Sequence, residues 1–189
     1  MNHIGTKELE TDRILLRRIS INDAEKMYDN WASDSDVSRY VTWPTHKDIN
    51  VTTELLKIWE NEYDNSSCYR WCIVLKDANE PIGTIDVCKK SDEFEMCEIG
   101  YCMSKKYWGK GIMTECVKRV IKFLFEEVGY NRIQATHALE NPASGRVMQK
   151  IGMQYEGTIR DGNRINHGDL CDVAMYSILK REYFKEEEK

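Results

Sequence analysis

Lys106-Tyr107-Trp108-Gly109-Lys110-Gly111-Ile112-Met113-Thr114 leads directly into the most regular apolar pattern of the chain. From Ile112 onward, Met113, Cys116, Val117, Val120, Ile121, Leu124, Phe125 and Val128 recur at spacings of one and three. That is the stripe of a helix with one face in a core. Gly129 stands where a terminating glycine is preferred. The first N–H groups of a helix have no partner within it and lie at the positive end of its dipole. Gly109 and Gly111 carry no Cβ, so an anion can approach those groups closely, and Lys110 adds a positive charge. The segment predicts a phosphate-bearing ligand. It is neither a dinucleotide fingerprint, since Thr114 fills the third glycine position, nor a P-loop, since no Gly-x-x-x-x-Gly-Lys-Ser/Thr is present. A Gly-x-Gly turn alone does not name the ligand.

Outward from this helix the pattern changes. Upstream, Tyr69 to Leu75, Ile82 to Cys88 and Glu93 to Met103 read as three strands of an antiparallel meander. Asp77-Ala78-Asn79-Glu80 and Ser91-Asp92 form the turns between them. Arg13 to Ile19 is an earlier strand, and Asn22 with Glu25 predicts the capping box of a helix through Met27, Tyr28 and Trp31. Tyr40 to Pro44 reads as a loop. Asn50 to Tyr63, with Leu55, Leu56 and Trp59 on one side, reads as a second helix. Downstream comes a strand from Asn131 to Ala138, then a helix capped by Asn141 with Pro142 in its first turn. Met153 to Arg160 and Cys171 to Leu179 form a closing hairpin, with Asp161-Gly162-Asn163 in its connection. The expected architecture is α+β, a mixed and mostly antiparallel sheet of about seven strands flanked by helices, in one domain over 1–189 with a core of about 11–182.

Composition narrows the classes. A net charge of −5 and a pI near 5.5 give no basic balance for nucleic acid. The N-terminus begins no apolar signal region and no long apolar span follows, so neither membrane nor export is expected and the cytoplasm is. Seven cysteines without a Cys-x-x-Cys pair, and four histidines (His3, His46, His137, His167) without ligand spacing, disfavour a metal site or a disulfide scaffold. The charged end, Lys185 to Lys189, reads as a solvated tail.

The sequence resembles the GNAT acetyltransferase superfamily, whose pattern is Gln/Arg-x-x-Gly-x-Gly/Ala at the start of the central helix. Lys106 takes the Gln/Arg position, a departure that keeps the positive charge. Within the superfamily the likeness is to the ribosomal-protein N-terminal alanine acetyltransferases and their relatives. Four stretches carry it: Arg13 to Arg17, Ile82 to Ile85, Glu98 to Tyr101 running on through Tyr107 to Gly111, and Asn141 to Ser144 running on through Lys150 to Met153. This resemblance implies a sheet splayed between the fourth and fifth strands, with acetyl-CoA, the acetyl donor, lying in the gap. Tyr101, Cys102 and Met103 would pair with the pantetheine arm. Lys106, Trp108, Gly109, Lys110, Gly111, Ile112, Met113 and Thr114 would hold the pyrophosphate, and Asn141 would contact the cofactor. Ser144 would lie near the thioester sulfur and hand a proton to departing thiolate.

Direct attack on a thioester needs a neutral amine, and a carboxylate is the usual base. Glu98 is the first candidate and Asp86 the second. An acyl-cysteine route is set aside because no cysteine has a histidine near it in sequence. Trp31, Tyr40, Trp43 and Trp59 fit a core better than an acceptor entrance, and the polar connection Asp161 to Gly168 is placed to reach an acceptor or a second subunit. The acceptor expected first is a protein N-terminus. The alternatives are a polyamine, aminoglycoside or amino acid, or a non-catalytic acyl-CoA sensor. Monomer and homodimer both stay open.

Overall fold

The computed structural model describes residues 1–166 and 168–187. β1 (Leu9–Glu10) pairs antiparallel with β2 (Ile14–Arg17), whose Ile14 and Leu16 are buried while Leu15 and Arg17 are half-exposed, the period-2 alternation of a strand. β1 makes the sheet eight-stranded rather than about seven; two residues leave no periodic signal in a sequence. A 3-10 turn (Ile21–Asp23), α1 (Ala24–Met27) and a π-helical turn (Tyr28–Ala32) follow as one run. Its capping box is Ser20 with Asp23, not the expected Asn22 with Glu25. Arg17 fixes the choice by holding Asp23 bidentately at 2.8 and 2.7 Å, which presents that carboxylate to the Ser20 N–H at 2.9 Å.

α2 (Ser35–Ser38), capped by Asp34, is one turn that periodicity cannot show. α3 (Ile49–Glu62) starts on Asp48, close to expectation. The meander is β3 (Arg70–Leu75), β4 (Glu80–Ser91) and β5 (Met96–Met103), each antiparallel to the one before. α4 (Ile112–Phe123) buries the predicted stripe and runs on through a π turn (Leu124–Val128) to Gly129 in the left-handed conformation. β6 (Arg132–Ala138), α5 (Pro142–Lys150), β7 (Gln154–Arg164) and β8 (Leu170–Leu179) complete the sheet, in the order β1-β2-β3-β4-β5-β6-β8-β7.

Asp161-Gly162-Asn163 is not the hairpin connection. It lies inside β7, where the register slips between Ile159 and Asn163 in a bulge with Asp161 at a φ of 49°. The turn falls later, where Ile165 N–H reaches Asp169 O at 3.0 Å. α6 (Lys180–Glu187) occupies much of the stretch read as a tail and packs Tyr183 on Phe125 at 5.2 Å. Residues 188 and 189 of that reading, and His167 of the histidine set, lie outside the described residues.

Helices cover both faces of the sheet. α4 and α5 pack over one face on a core that includes Trp71, Phe123, Ile133 and Met148. α1 and α3 pack over the other, with Trp31, Leu56, Cys72 and Val74. Trp31 is fully buried, Trp43 and Trp59 pack against this second core, and Tyr40 is half-buried beneath Arg39. Among the described residues no helix is long and apolar enough to cross a membrane.

One ion pair outside the gap sets a pH response. Arg132 grips Glu156 at 2.7 and 2.6 Å and the Ser177 hydroxyl donates to it at 2.6 Å, which holds this carboxyl down at about 2. The folded value lies below the unfolded one of about 4.3. The stabilisation is therefore complete above the unfolded value and fades as pH falls through about 2. Solvent screens this half-exposed pair, so Glu156→Gln should cost at most about 1 kcal/mol at pH 7. In urea titrations the two proteins should converge as pH approaches 2.

Candidate active site

β5 and β6 run parallel for only three rungs, Met96 with Arg132, Cys97 with Ile133 and Glu98 with Gln134. Beyond Glu98 they separate, so the last five residues of β5 and last four of β6 flank a gap. This is the expected splay between the fourth and fifth predicted strands, which are β5 and β6 here. Ser104 N–H donates to Ile82 O at 2.8 Å, so the backbone groups of Ser104 and of Cys102, two residues back, turn toward β4. Tyr101 and Met103, alternating with them, turn theirs into the gap. Of the three strand residues expected to pair with a ligand, Cys102 is thus turned away, and its thiol meets the Thr84 hydroxyl at 3.4 Å.

The turn after β5 is a 3-10 helix (Lys105–Tyr107) leading into Gly109 and Gly111, both at a φ of 75°. A Cβ on Gly109 would meet nothing within 4 Å, and one on Gly111 only an Arg13 nitrogen at 4.0 Å. Open space thus lies above both, and the left-handed backbone turns successive amides the same way. No side chain caps α4, and its first amide to reach a carbonyl is that of Glu115, on Gly111 at 3.1 Å. The earlier amides, Ile112 to Thr114, remain for an anion.

The loop is braced from three sides. The Trp108 indole N–H donates to Met103 O at 2.7 Å, which leaves the Met103 N–H and both Tyr101 groups as the free strand edge. Lys106 pairs with Glu80 at 3.7 Å, so its charge is partly balanced, and Lys110 lies over the Tyr107 ring at 5.2 Å. Arg13 reaches from β1–β2 to donate to Lys110 O at 3.2 Å and to Glu115 at 2.8 Å. Thr11 hydrogen-bonds the same carboxylate. Arg13, Thr11 and Glu115 went unassigned in the sequence because about a hundred residues separate the partners.

Across the gap, Asn141 Oδ1 caps α5 on the Ser144 N–H at 3.4 Å, so its amide nitrogen is the part left to meet a ligand. The Ser144 hydroxyl donates to the Tyr101 phenol oxygen at 3.0 Å, and that phenol donates to Ser144 O at 3.2 Å. Tyr101 packs with the α4–α5 core and Cys102 with the α1–α3 core, so the strand presents alternate residues to opposite faces. Glu98, Gly100 and Asp86, which stands opposite Gly100, share the α1–α3 face.

Glu98 is buried, held by Lys89 at 3.1 Å and by the Gln134 amide at 2.9 Å, one on each oxygen. Each oxygen keeps a lone pair. Asp86 is half-buried, 3.9 Å from Arg70, and one oxygen would lie 3.3 Å from a Cβ on Gly100. Burial pushes its carboxyl up to about 6 against the pull of Arg70. Burial makes poor nucleophiles of Cys102, pushed up to about 11, and of Cys72 and Cys116, pushed up to about 12.

Comparison with known proteins fits this geometry. Residues 13–154 match the family model described as an acetyltransferase (GNAT) domain. The chain is 32% identical over 175 residues to the uncharacterized N-acetyltransferase p20 of Bacillus licheniformis, covering 93% of this chain and 97% of that one. It is 26% identical to the [ribosomal protein uS5]-alanine N-acetyltransferase of Escherichia coli, over 85% of this chain and 84% of that one. A crystal structure of a GNAT-family acetyltransferase from Bacillus anthracis superposes with a TM-score of 0.79 at 30% identity, over 93% of this chain and all of that one. The matched span holds the glycine loop, both edges of the gap and α5, and the chain belongs to the GNAT family as an N-acetyltransferase.

Proposed function

We propose that this N-acetyltransferase takes its acetyl group from acetyl-CoA and places it directly on a polypeptide N-terminus, as one catalytic domain with a core of about 11–182. The observation that carries this reading is the gap itself. It has a free strand edge on β5, unpaired amides at the head of α4, carboxylates on one face and the Ser144 hydroxyl on the other. Pyrophosphate would sit on the loop from Lys106 to Thr114, and the pantetheine amides would pair with Tyr101 and Met103. The attacking amine loses a proton to Glu98, with Asp86 second on the same face. The C–S bond breaks as the amide forms, and Ser144 hands its proton to the departing thiolate and regains one from solvent.

Two features support a peptide acceptor. The relative of most defined activity is named for the alanine of a ribosomal protein. An α-amine, with a pKa of about 8, is also over a hundredfold more often neutral at a given pH than a lysine side chain near 10.4.

The test is a turnover panel that follows CoA release with peptides of varied first residue, polyamines, an aminoglycoside and free amino acids. Peptides beginning with alanine should lead in kcat/KM by about a hundredfold, equivalent to roughly 2.7 kcal/mol of transition-state binding. Preference for a polyamine would replace this acceptor class with a small-molecule one. Tight acetyl-CoA binding without turnover on any amine would make the protein a sensor. Separate Glu98→Gln and Asp86→Asn variants assign the base: the correct one should lose about 10²–10⁴ in kcat.

A further inference from the structure

We propose that Tyr101 is a positioning residue for Ser144, fixing the hydroxyl that meets the leaving sulfur. The inference rests on the role of Ser144 proposed above. Tyr101 reaches from β5 to the first turn of α5, on the opposite side of the gap, and makes two hydrogen bonds to one residue. The phenol has a single proton, committed to Ser144 O, so its oxygen faces the Ser144 hydroxyl as an acceptor. A serine side chain has three staggered positions, and this contact selects one of them for the oxygen. The proton it gives the phenol turns about the Cβ–Oγ bond to the sulfur as the thiolate forms. The second bond ties the same phenol to the backbone of α5, so hydroxyl and helix are held to β5 as a unit. Among the described residues, no other side chain hydrogen-bonds the Ser144 hydroxyl.

The phenol orients and does not relay. Burial pushes Tyr101 up to about 12, so it stays neutral across the working range and the thiolate gains no proton from it. An effect of removing the hydroxyl should therefore be the same at every pH where the enzyme works.

The experiment is a cycle of Tyr101→Phe, Ser144→Ala and the double variant, with kcat, KM for acetyl-CoA and melting temperature measured from pH 6.5 to 9. Phenylalanine keeps the ring and the strand backbone, so KM for acetyl-CoA should stay within about twofold while kcat falls about tenfold, the scale of one lost hydrogen bond. In the Ser144→Ala background the same change should leave kcat where it is, because the hydroxyl it positions is gone. The remaining bond to the residue-144 carbonyl bears on the seating of α5, read in the melting temperature. Full additivity in the double variant overturns the proposal, as does an unchanged kcat in Tyr101→Phe alone or a loss that grows with pH. An unchanged kcat in Ser144→Ala instead removes the Ser144 reading, and a Tyr101→Phe loss in that setting would show an independent role. A loss of kcat matched by a large fall in melting temperature and persisting without Ser144 would mark a merely structural tyrosine.

Discussion

Gly111→Trp is expected to weaken acetyl-CoA binding at least about a hundredfold, a loss of roughly 2.7 kcal/mol. The indole would fill the open space above the loop where the pyrophosphate is proposed to meet the amides of Ile112 to Thr114. Each hydrogen bond to a charged group contributes about 1.5–3 kcal/mol, so losing two accounts for the effect. The residue also sits at a φ of 75°, where any side chain costs about 1–2 kcal/mol. Gly129→Ala controls for that strain: φ is 92°, nothing lies within 4 Å of its Cβ, and it stands at the far end of the helical run. Calorimetric titration should show normal affinity in Gly129→Ala and almost none in Gly111→Trp, with both proteins folded. Equal affinity in the two would leave the glycine loop as a turn and nothing more.

Gly83→Ala should be the most damaging single methyl group. A Cβ there would stand 2.4 Å from Cys102 O and 2.9 Å from the Met103 Cα, both backbone atoms of the neighbouring strand that cannot swing aside. Overpacking of this kind costs about 1–3 kcal/mol and occasionally more. For a protein of this size the melting temperature should drop by roughly 2–12 °C. The clash also pushes on the strand end that lines the gap, so acetyl-CoA affinity should fall with stability. Gly100→Ala is the contrast. Its Cβ would meet the Asp86 carboxylate at 3.3 Å, the far end of a side chain that can tilt. That variant should keep its melting temperature within about 2–4 °C, a cost near 1 kcal/mol. A Gly83→Ala protein as stable as the parent would mean that β4 and β5 can part there at little cost.

The elements with strong local signals were legible. α4 announces itself by its stripe, Gly129 by the left-handed stop and Asn141 by its place before Pro142. The glycine loop was readable because helix-end chemistry is local. What escaped was either too short for a period, as with β1 and α2, or decided by a distant partner. The expected cap was Asn22, and the Arg17 guanidinium on Asp23 selects Ser20 in its place. The bulge in β7 depends on its fit to β8, where Gly162 faces Val173 with no room for a Cβ. Within the site, residue types could be named but not their pairing. Tyr101 and Ser144 are 43 positions apart, and Glu98 and Gln134 are 36 apart, so neither contact leaves a trace in local sequence.

The three-rung junction between β5 and β6 has a mechanical consequence. An eight-stranded sheet joined at its middle by three rungs is two half-sheets, β1 to β5 and β6 to β8, sharing one seam. The hairpins β3–β4, β4–β5 and β7–β8 close over short loops, whereas the seam needs the whole α4 crossover in place first. It also has fewer rungs than β2–β3 or β6–β8, the other pairs joined by long connections. It should therefore assemble late in folding and be the first line along which the native protein opens. A ligand lying along that seam and hydrogen-bonded to its edge would act as a cross-link. Amide hydrogen exchange at Tyr101 and Met103 on one side, and along β6 on the other, should slow together on binding, stiffening the two halves into a single plate.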